Sequence, residues 1–497
     1  RQSMGWADLL QDYVQEHQSS SSKSITTVDE EAEMDALTRD YIAEKEKEDE
    51  RKRHEIGRAK SRTSTSASDG LRIPSFYKRK KKTEDLSEDD LVKKERLAYE
   101  ASLQFKKHVI DGRAIENLKN ALKMVKDREH GGMNMEGEFG SGDISTDDLD
   151  YLINTDGETD LTYDEYVKLR EVVEPMSPPL NGVLTDEVFA QLHKDGFLVS
   201  ADSILQYIDK LNGVRQSTVD LLPYDVTGDG YLTEQQLERF LLDKATESRN
   251  FTQAFLADYE QFYPVVAHKK IFFFLDPNKR MKVKLTELAA SPVMMELKKA
   301  LPVPRTRIEE AEQDSNWFYQ GNTLRLYDEY SALDRDGDGL LSPEELLFFR
   351  QGSLNPEFIR GVFERSETFF GSLIDFRTFV DFVLAMENKS SVPALRYFFR
   401  ILDINSRGYL TTFDLNVFLR WTVDRVKQEG VQMVLEDLIE QIYDLAKPKE
   451  ELKITVDDLI SSGVGATMVQ IMIDWRALIA FEYAEKMPSE ILPRESG

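Results

Sequence analysis

The chain has 497 residues, with 64 Lys and Arg against 91 Asp and Glu, a formal charge of −27 and no cysteine. That length exceeds one compact core and predicts about three domains or one elongated array. The acidic balance disfavours nucleic acid and anionic membrane as non-specific partners, and the missing cysteine excludes disulfides, cysteine nucleophiles and thiolate metal sites.

No stretch approaches the roughly 18 apolar residues of a membrane span; the apolar run Ile271–Leu275 has the length of a core segment. Residues 1–90 read as a largely disordered N-terminal region with short helices. Gly5–Leu10 gives a short amphipathic helix there, and the serine-rich stretches Ser19–Ser24 and Ser61–Asp69 are flexible. Between those stretches, the charge-dense Glu44–Glu55 segment can form a solvated helix with too little apolar surface to dock firmly. The basic cluster Lys78–Lys82 reads as a solvated linker or, more sharply, as a nuclear import signal. Residues 91–129 form a helical segment: periodicity starts at Leu97, and Ile115, Leu118, Leu122 and Val125 make one apolar stripe. The glycine-rich His130–Gly142 stretch then marks a flexible linker.

From about residue 150 a short pattern recurs, in which a β-favouring apolar residue is followed by an acidic or polar residue and a helical stripe. Its instances begin at Leu161, Leu198, Leu232, Val283, Leu341, Ile374, Leu410 and Ile454. Several neighbours lie one helix–loop–helix length apart, and the longer gaps after Leu232, Val283 and Leu410 leave room for linking helices.

One instance carries a complete set of hard-oxygen donors. Asp334, Asp336 and Asp338 stand at loop positions 1, 3 and 5, Gly339 at 6, Leu341 at 8 and Glu345 at 12. The Leu340 carbonyl would serve at 7 and Ser342 at 9, directly or through water. This is the EF-hand spacing: calcium takes six to eight oxygens, and a bidentate Glu at 12 favours it over magnesium. The same residues, Ser342-Pro343-Glu344-Glu345, also spell a helix start with a capping box, and the two readings are compatible.

The remaining loops are degenerate. Asp225, Thr227 and Asp229, with the Tyr231 carbonyl at position 7, keep the turn, but position 12 is the neutral Gln236. Asp403 and Asn405 are followed by Arg407 at position 5 and the shorter Asp414 at 12. Asp276, Asn278 and Glu287 are interrupted by Arg280 and Met281. A guanidinium aimed at such a site repels the cation. About eight EF-hand-like units are therefore expected, with only one or two ions.

Catalytic constellations are missing from the sequence. The six histidines form no HExxH, and there is no phosphate loop, kinase set or nucleophile elbow. The abundant aromatics, among them Phe272–Phe274, Trp317, Tyr327, Tyr330, Phe379 and Phe398, read first as core and second as a peptide-binding groove.

Several long strings resemble the B-double-prime class of regulatory subunits of protein phosphatase 2A. They are Lys269–Pro277 (KKIFFFLDP), Asn316–Phe318, Leu324–Leu346, Phe379–Asn388, Pro393–Leu410 and Lys447–Ile460. The gamma-type branch, which includes the plant FASS/TONNEAU protein, is the nearest in pattern, and Ile73–Tyr77 and Gly5–Leu10 resemble it too. The resemblance implies a non-catalytic subunit that joins scaffold and catalytic subunits, selects phosphoprotein substrates and location, and responds to calcium. It further implies microtubule-associated or centrosomal partners and a cytoplasmic place at the cytoskeleton, centrosome or basal body, with the nucleus as a further compartment. In better-known members the calcium loops lie at positions matching Asp276 and Asp403, which are degraded here.

The expected architecture is mainly α: an elongated array of EF-hand-like helix–loop–helix pairs with short β bridges. Its parts are a first domain over 130–300, a second over 301–487 holding the Asp334 loop, and a loose tail over 488–497. The alternative reading is a phosphatase-independent calcium sensor or structural protein of the cytoskeleton.

Overall fold

The computed structural model describes residues 34–51 (35 and 49 excepted), 88–130, 160–193 and 198–486. The Gly5–Leu10 helix, the serine-rich stretches, Ile73–Tyr77, Lys78–Lys82, nearly all of the His130–Gly142 linker and the tail beyond Met487 lie outside the described residues. Among the described residues the regular structure is helical apart from three two-stranded sheets and isolated bridges.

The repeat units pair in chain order. Leu161 stands opposite Val199, Leu232 opposite Val283, Leu341 opposite Ile374 and Leu410 opposite Ile454, all antiparallel. The second unit bridges through Val199, one residue beyond the Leu198 that opens its pattern. Pairing does not follow sequence proximity: Leu232 lies nearer to Val199 than to Val283 but bridges the latter. Loop-closure entropy grows only slowly with length, so a long connection inside a pair costs little.

The chain divides into two compact units. One comprises residues 82–260 and 278–305. In it Leu118, Leu122 and Val125 of the Gly112–His130 helix are buried with Leu161, Tyr166, Leu169 and Val173 of the first repeat and Ile204 and Ile208 of the second. Ile115 of the same stripe is half-buried. The helical segment thus belongs to the core of the first EF-hand-like pair. Asn212 fastens the chain just ahead of it, accepting from the Ile110 N–H and donating to the Ile110 carbonyl, both at 2.8 Å. The preceding helix begins at Glu88 rather than near Leu97. Its apolar pattern is hard to see because Val92, Leu97, Tyr99 and Leu103 are exposed while the inward Ala98 and Ser102 are small.

The other unit holds residues 261–277 and 306–486, together with the described residues of 34–51. Its core is a chain of aromatic rings. Phe262 meets Tyr327 and Phe376 edge-on, Tyr330 meets Phe376 and Phe379, and Phe349 meets Phe382, with centroids 5.0–5.7 Å apart. Such pairs add about 0.5–1.5 kcal/mol each beyond the area they bury. Of the aromatics that the sequence offers as core, Trp317, Tyr327, Tyr330, Phe379 and Phe398 are buried, while Phe272–Phe274 are only half-buried.

Asn355 joins three helices in this unit. It is fully buried, its Oδ1 caps the Pro356–Arg365 helix through the Glu357 N–H at 2.8 Å, and its Nδ2 donates to the carbonyls of Phe418 and Met472. Asn355→Ala is expected to cost about 2–4 kcal/mol, because a cap is lost and two buried carbonyls lose a donor. Chemical denaturation of the full chain checks this. A second test concerns Gly465, where an added Cβ would lie 2.3 Å from the Leu459 carbonyl oxygen. That contact is with backbone, which cannot swing aside, so Gly465→Ala is expected to lower the midpoint of thermal unfolding and to destabilise by about 1–3 kcal/mol.

The N-terminal region departs from expectation at one place. Residues 36–48 are helical, and Met34, Leu37 and Tyr41 pack against Phe413, Val417 and Ile404. The docking stripe lies mostly ahead of the charge-dense run, which is why the run's own composition does not reveal it.

Candidate metal centre

The Asp334 loop is the turn between the Gln320–Leu333 helix and the short Pro343–Leu346 helix. Asp334 ends the first helix, its N–H donating to the Tyr330 carbonyl. Its two oxygens accept from the Gly337 N–H at 2.8 Å and the Gly339 N–H at 3.0 Å, folding the loop back around one carboxylate. The turn needs left-handed backbone at Gly337 (φ +70°) and Gly339 (φ +82°), where a Cβ would be strained. Asp336 accepts from the Asp338 N–H and Asp338 from the Leu340 N–H, which orients both carboxylates. As a result, ligand oxygens of Asp334, Asp336 and Asp338 lie within 4.8 Å of one another.

Glu345 belongs to the same loop but not to that triad. One carboxylate oxygen accepts from the Arg335 N–H at 2.9 Å, and the other from the Ser342 N–H at 2.9 Å and hydroxyl at 2.7 Å, completing the capping box. Leu340 and Asp334 are buried, Ser342 is half-buried, and Asp336 and Asp338 face solvent. Burial raises the Asp334 carboxyl above its usual range, with Asp338 and Glu345 adding to the rise and the Gly339 and Gly337 N–H groups opposing it. A divalent cation would offset the burial and the neighbouring negative charge that raise Asp334. Hard oxygens in this arrangement fit calcium.

Two features of this loop escape sequence reading. The buried Tyr330 hydroxyl donates to the Gly339 carbonyl at 2.9 Å and lies 3.4 Å from the Ile374 carbonyl. It touches both loops of the pair, which are also joined by reciprocal Leu341–Ile374 backbone bonds at 2.9 Å. Burial, with Asp375 and Asp334 nearby, pushes its ionisation far up, so it remains a donor. Arg335 stacks its guanidinium on the exposed Phe348 ring at 3.3 Å, outside the loop. Either residue could be found only by knowing what the turn brings together.

The Asp225 and Asp403 loops keep the turn and place a basic side chain beside an acid. In the Asp225 loop, Asp225 accepts from the Gly228 and Gly230 N–H groups, and Thr227 donates to Asp229 at 2.9 Å. Lys282, from the partner strand, puts its ammonium 3.6 Å from Asp229 and 4.2 Å above the Tyr231 ring. Gln236 is held by the Thr233 N–H and hydroxyl as a capping residue.

In the Asp403 loop, Asp403 accepts from the Arg407 and Gly408 N–H groups while Asn405 is exposed. The Arg407 guanidinium donates to Asp414 at 2.9 Å and to the Thr411 hydroxyl at 3.0 Å. The position-12 acid is thus already bonded to a cation of the protein itself. At Asp276 the degraded sequence forces Lys279 (φ +52°) and Met281 (φ +60°) into left-handed backbone.

Among known proteins, the gamma subunit of the B-double-prime regulatory subunits of serine/threonine-protein phosphatase 2A from Rattus norvegicus is 34% identical over 330 residues, which cover 66% of this chain and 71% of that one. The chain belongs to the B-double-prime family of phosphatase 2A regulatory subunits. It is accordingly a regulatory subunit and not a phosphatase. The Danio rerio gamma subunit is also 34% identical, over 334 residues covering 67% of this chain and 71% of its own. The probable B-double-prime subunit TON2 of Arabidopsis thaliana is 29% identical over 346 residues, with the same two shares. A solved chain named for a PP2A PR70 holoenzyme is 22% identical, covers 51% of this chain and 94% of its own length, and gives a TM-score of 0.44. No family model matches the chain. Among the described residues no helix is long and apolar enough to cross a membrane.

Proposed function

We propose that this B-double-prime subunit binds one calcium ion at the Asp334 loop and works within a phosphatase heterotrimer. In that assembly it joins the scaffold and catalytic subunits and directs phosphoprotein substrate choice and location. The convergence of the Asp334, Asp336 and Asp338 oxygens carries the calcium assignment. Those three carboxylates, the Leu340 carbonyl, Ser342 and Glu345 are the ligand set; engaging Glu345 means exchanging its bonds to Arg335 and Ser342 for bonds to the ion. At the Asp225 and Asp403 loops the neighbouring Lys282 and Arg407 weigh against a second ion, since each already neutralises an acid that an ion would need.

Family membership supports the heterotrimer, and likeness to gamma-type members supports a place at microtubule-organising structures. Gel filtration of the full chain with purified scaffold and catalytic subunits, with calcium or with chelator, tests the assembly. Co-elution of all three is the expected result. Separate elution in both conditions would instead favour the phosphatase-independent sensor.

A further inference from the structure

The helix over residues 34–51 sits on one face of the Asp403–Asp414 EF-hand. Its contacts form a single stripe. Met34, Leu37 and Tyr41 pack on Ile404, Phe413 and Val417, and Lys45 reaches Glu364 at 2.8 Å. The Tyr41 ring meets Phe413 edge-on with centroids 5.8 Å apart and borders a small cavity that Arg360, Gly361 and Glu364 also line. Anchors at i, i+3, i+7 and i+11 are how an amphipathic helix lies in a groove.

The receiving face is built from the hand itself. Ile404 is its second loop residue, Phe413 and Val417 lie on its outgoing helix, and Arg365 holds the Asp403 and Ile404 carbonyls at 2.9 and 2.8 Å. Because the Arg407–Asp414 pair closes this loop, the face keeps its shape without an ion.

The fit is incomplete. Thr38, in the middle of the stripe, is fully buried and its hydroxyl has no hydrogen-bond partner. A buried hydroxyl left unpaired weakens the contact that hides it. Among the described residues the apolar anchors are Met34, Leu37 and Tyr41, with the Lys45–Glu364 ion pair beside them, and a helix docked within its own chain competes with a free one through its effective concentration.

We propose that this face is a helix-receiving groove, and that residues 34–51 are a tethered occupant that a partner helix replaces. The partner is an amphipathic helix with an aliphatic residue where Leu37 stands, an aromatic where Tyr41 stands and Lys or Arg where Lys45 stands. It carries a small apolar residue in place of Thr38. Docking is independent of calcium, and the inference stands apart from the Asp334 assignment.

The test uses the full chain and a fluorescent peptide of residues 34–51, read by anisotropy. In the Leu37→Asp/Tyr41→Ala chain the tethered helix is displaced and the peptide binds. Wild type, its groove filled, binds roughly tenfold more weakly or not at all. A Thr38→Val peptide binds roughly tenfold more tightly than the native peptide. Adding Glu364→Lys to the displaced chain abolishes binding, and a Lys45→Glu peptide restores it. Equal binding to wild type and the displaced chain would overturn the occupancy. Absence of binding to a displaced chain with native circular dichroism would overturn the groove. Failure of the charge swap would overturn its location, and loss of binding in chelator would overturn its ion independence.

Discussion

Glu345→Gln is expected to weaken calcium binding at the Asp334 loop by more than roughly 100-fold, the upper range for losing even an outer partner of a metal site. Titration calorimetry on the full chain measures it directly. The change is small in volume and large in chemistry: a carboxylate supplies two charged oxygens, an amide only one neutral one. The Asp225 loop shows what the substituted side chain would do. There Gln236 already occupies position 12, and its amide oxygen accepts from the Thr233 N–H and hydroxyl at 2.8 and 3.0 Å. The capping box therefore survives the substitution, and chelated Glu345→Gln protein should unfold within a few degrees of wild type. Asp334→Ala differs in this respect. It removes the acceptor for both the Gly337 and Gly339 N–H groups, so it should abolish binding and also loosen the loop without calcium. Wild-type stoichiometry in both variants would reject this loop as the ion site.

The fold was legible where chemistry and spacing coincide. An apolar residue at loop position 8 must meet its equivalent across a two-strand bridge, so the recurrence marks the bridges at Leu232, Val283, Leu341, Ile374, Leu410 and Ile454 without any contact information. Which units bridge was not legible, because separation along the chain says little about which loops lie side by side. The Asp334 triad was legible for the same reason as the bridges: a tight turn brings positions 1, 3 and 5 together whatever surrounds them. Lys282 was not, since it reaches Asp229 across a strand pair from far along the chain. Tyr330 counted as one more core aromatic, because sequence shows its ring and not what its hydroxyl meets. The 34–51 helix presents too few apolar anchors for its period to stand out from the charged residues that follow.

Arg407→Ala is expected to destabilise the unit that holds the Asp403 loop by about 3–5 kcal/mol, the range for removing one partner of a buried ion pair. Asp414 is only 1% exposed, and without the guanidinium its carboxylate keeps only the Thr411 N–H and hydroxyl. Burial already raises its pKa, and Arg407 is the main influence holding it down. Removing Arg407 therefore raises it further. A carboxyl with a raised folded pKa loses stability as pH rises through that pKa, so the deficit of the variant should be largest at neutral pH and shrink as acid protonates Asp414. Thermal unfolding of the full chain across pH, with wild type beside it, reads both the drop and its slope. Arg407→Asp separates charge pairing from shape. It too removes the guanidinium, but it places a carboxylate at position 5 of a loop that already has Asp403, Asn405 and Asp414. In chelator it should be at least as unstable as Arg407→Ala. In calcium it should recover, because the ion takes the place that the guanidinium held. Arg407→Ala, lacking that ligand, should recover less. Wild-type stability in Arg407→Ala at neutral pH would show that the guanidinium is not what closes this loop.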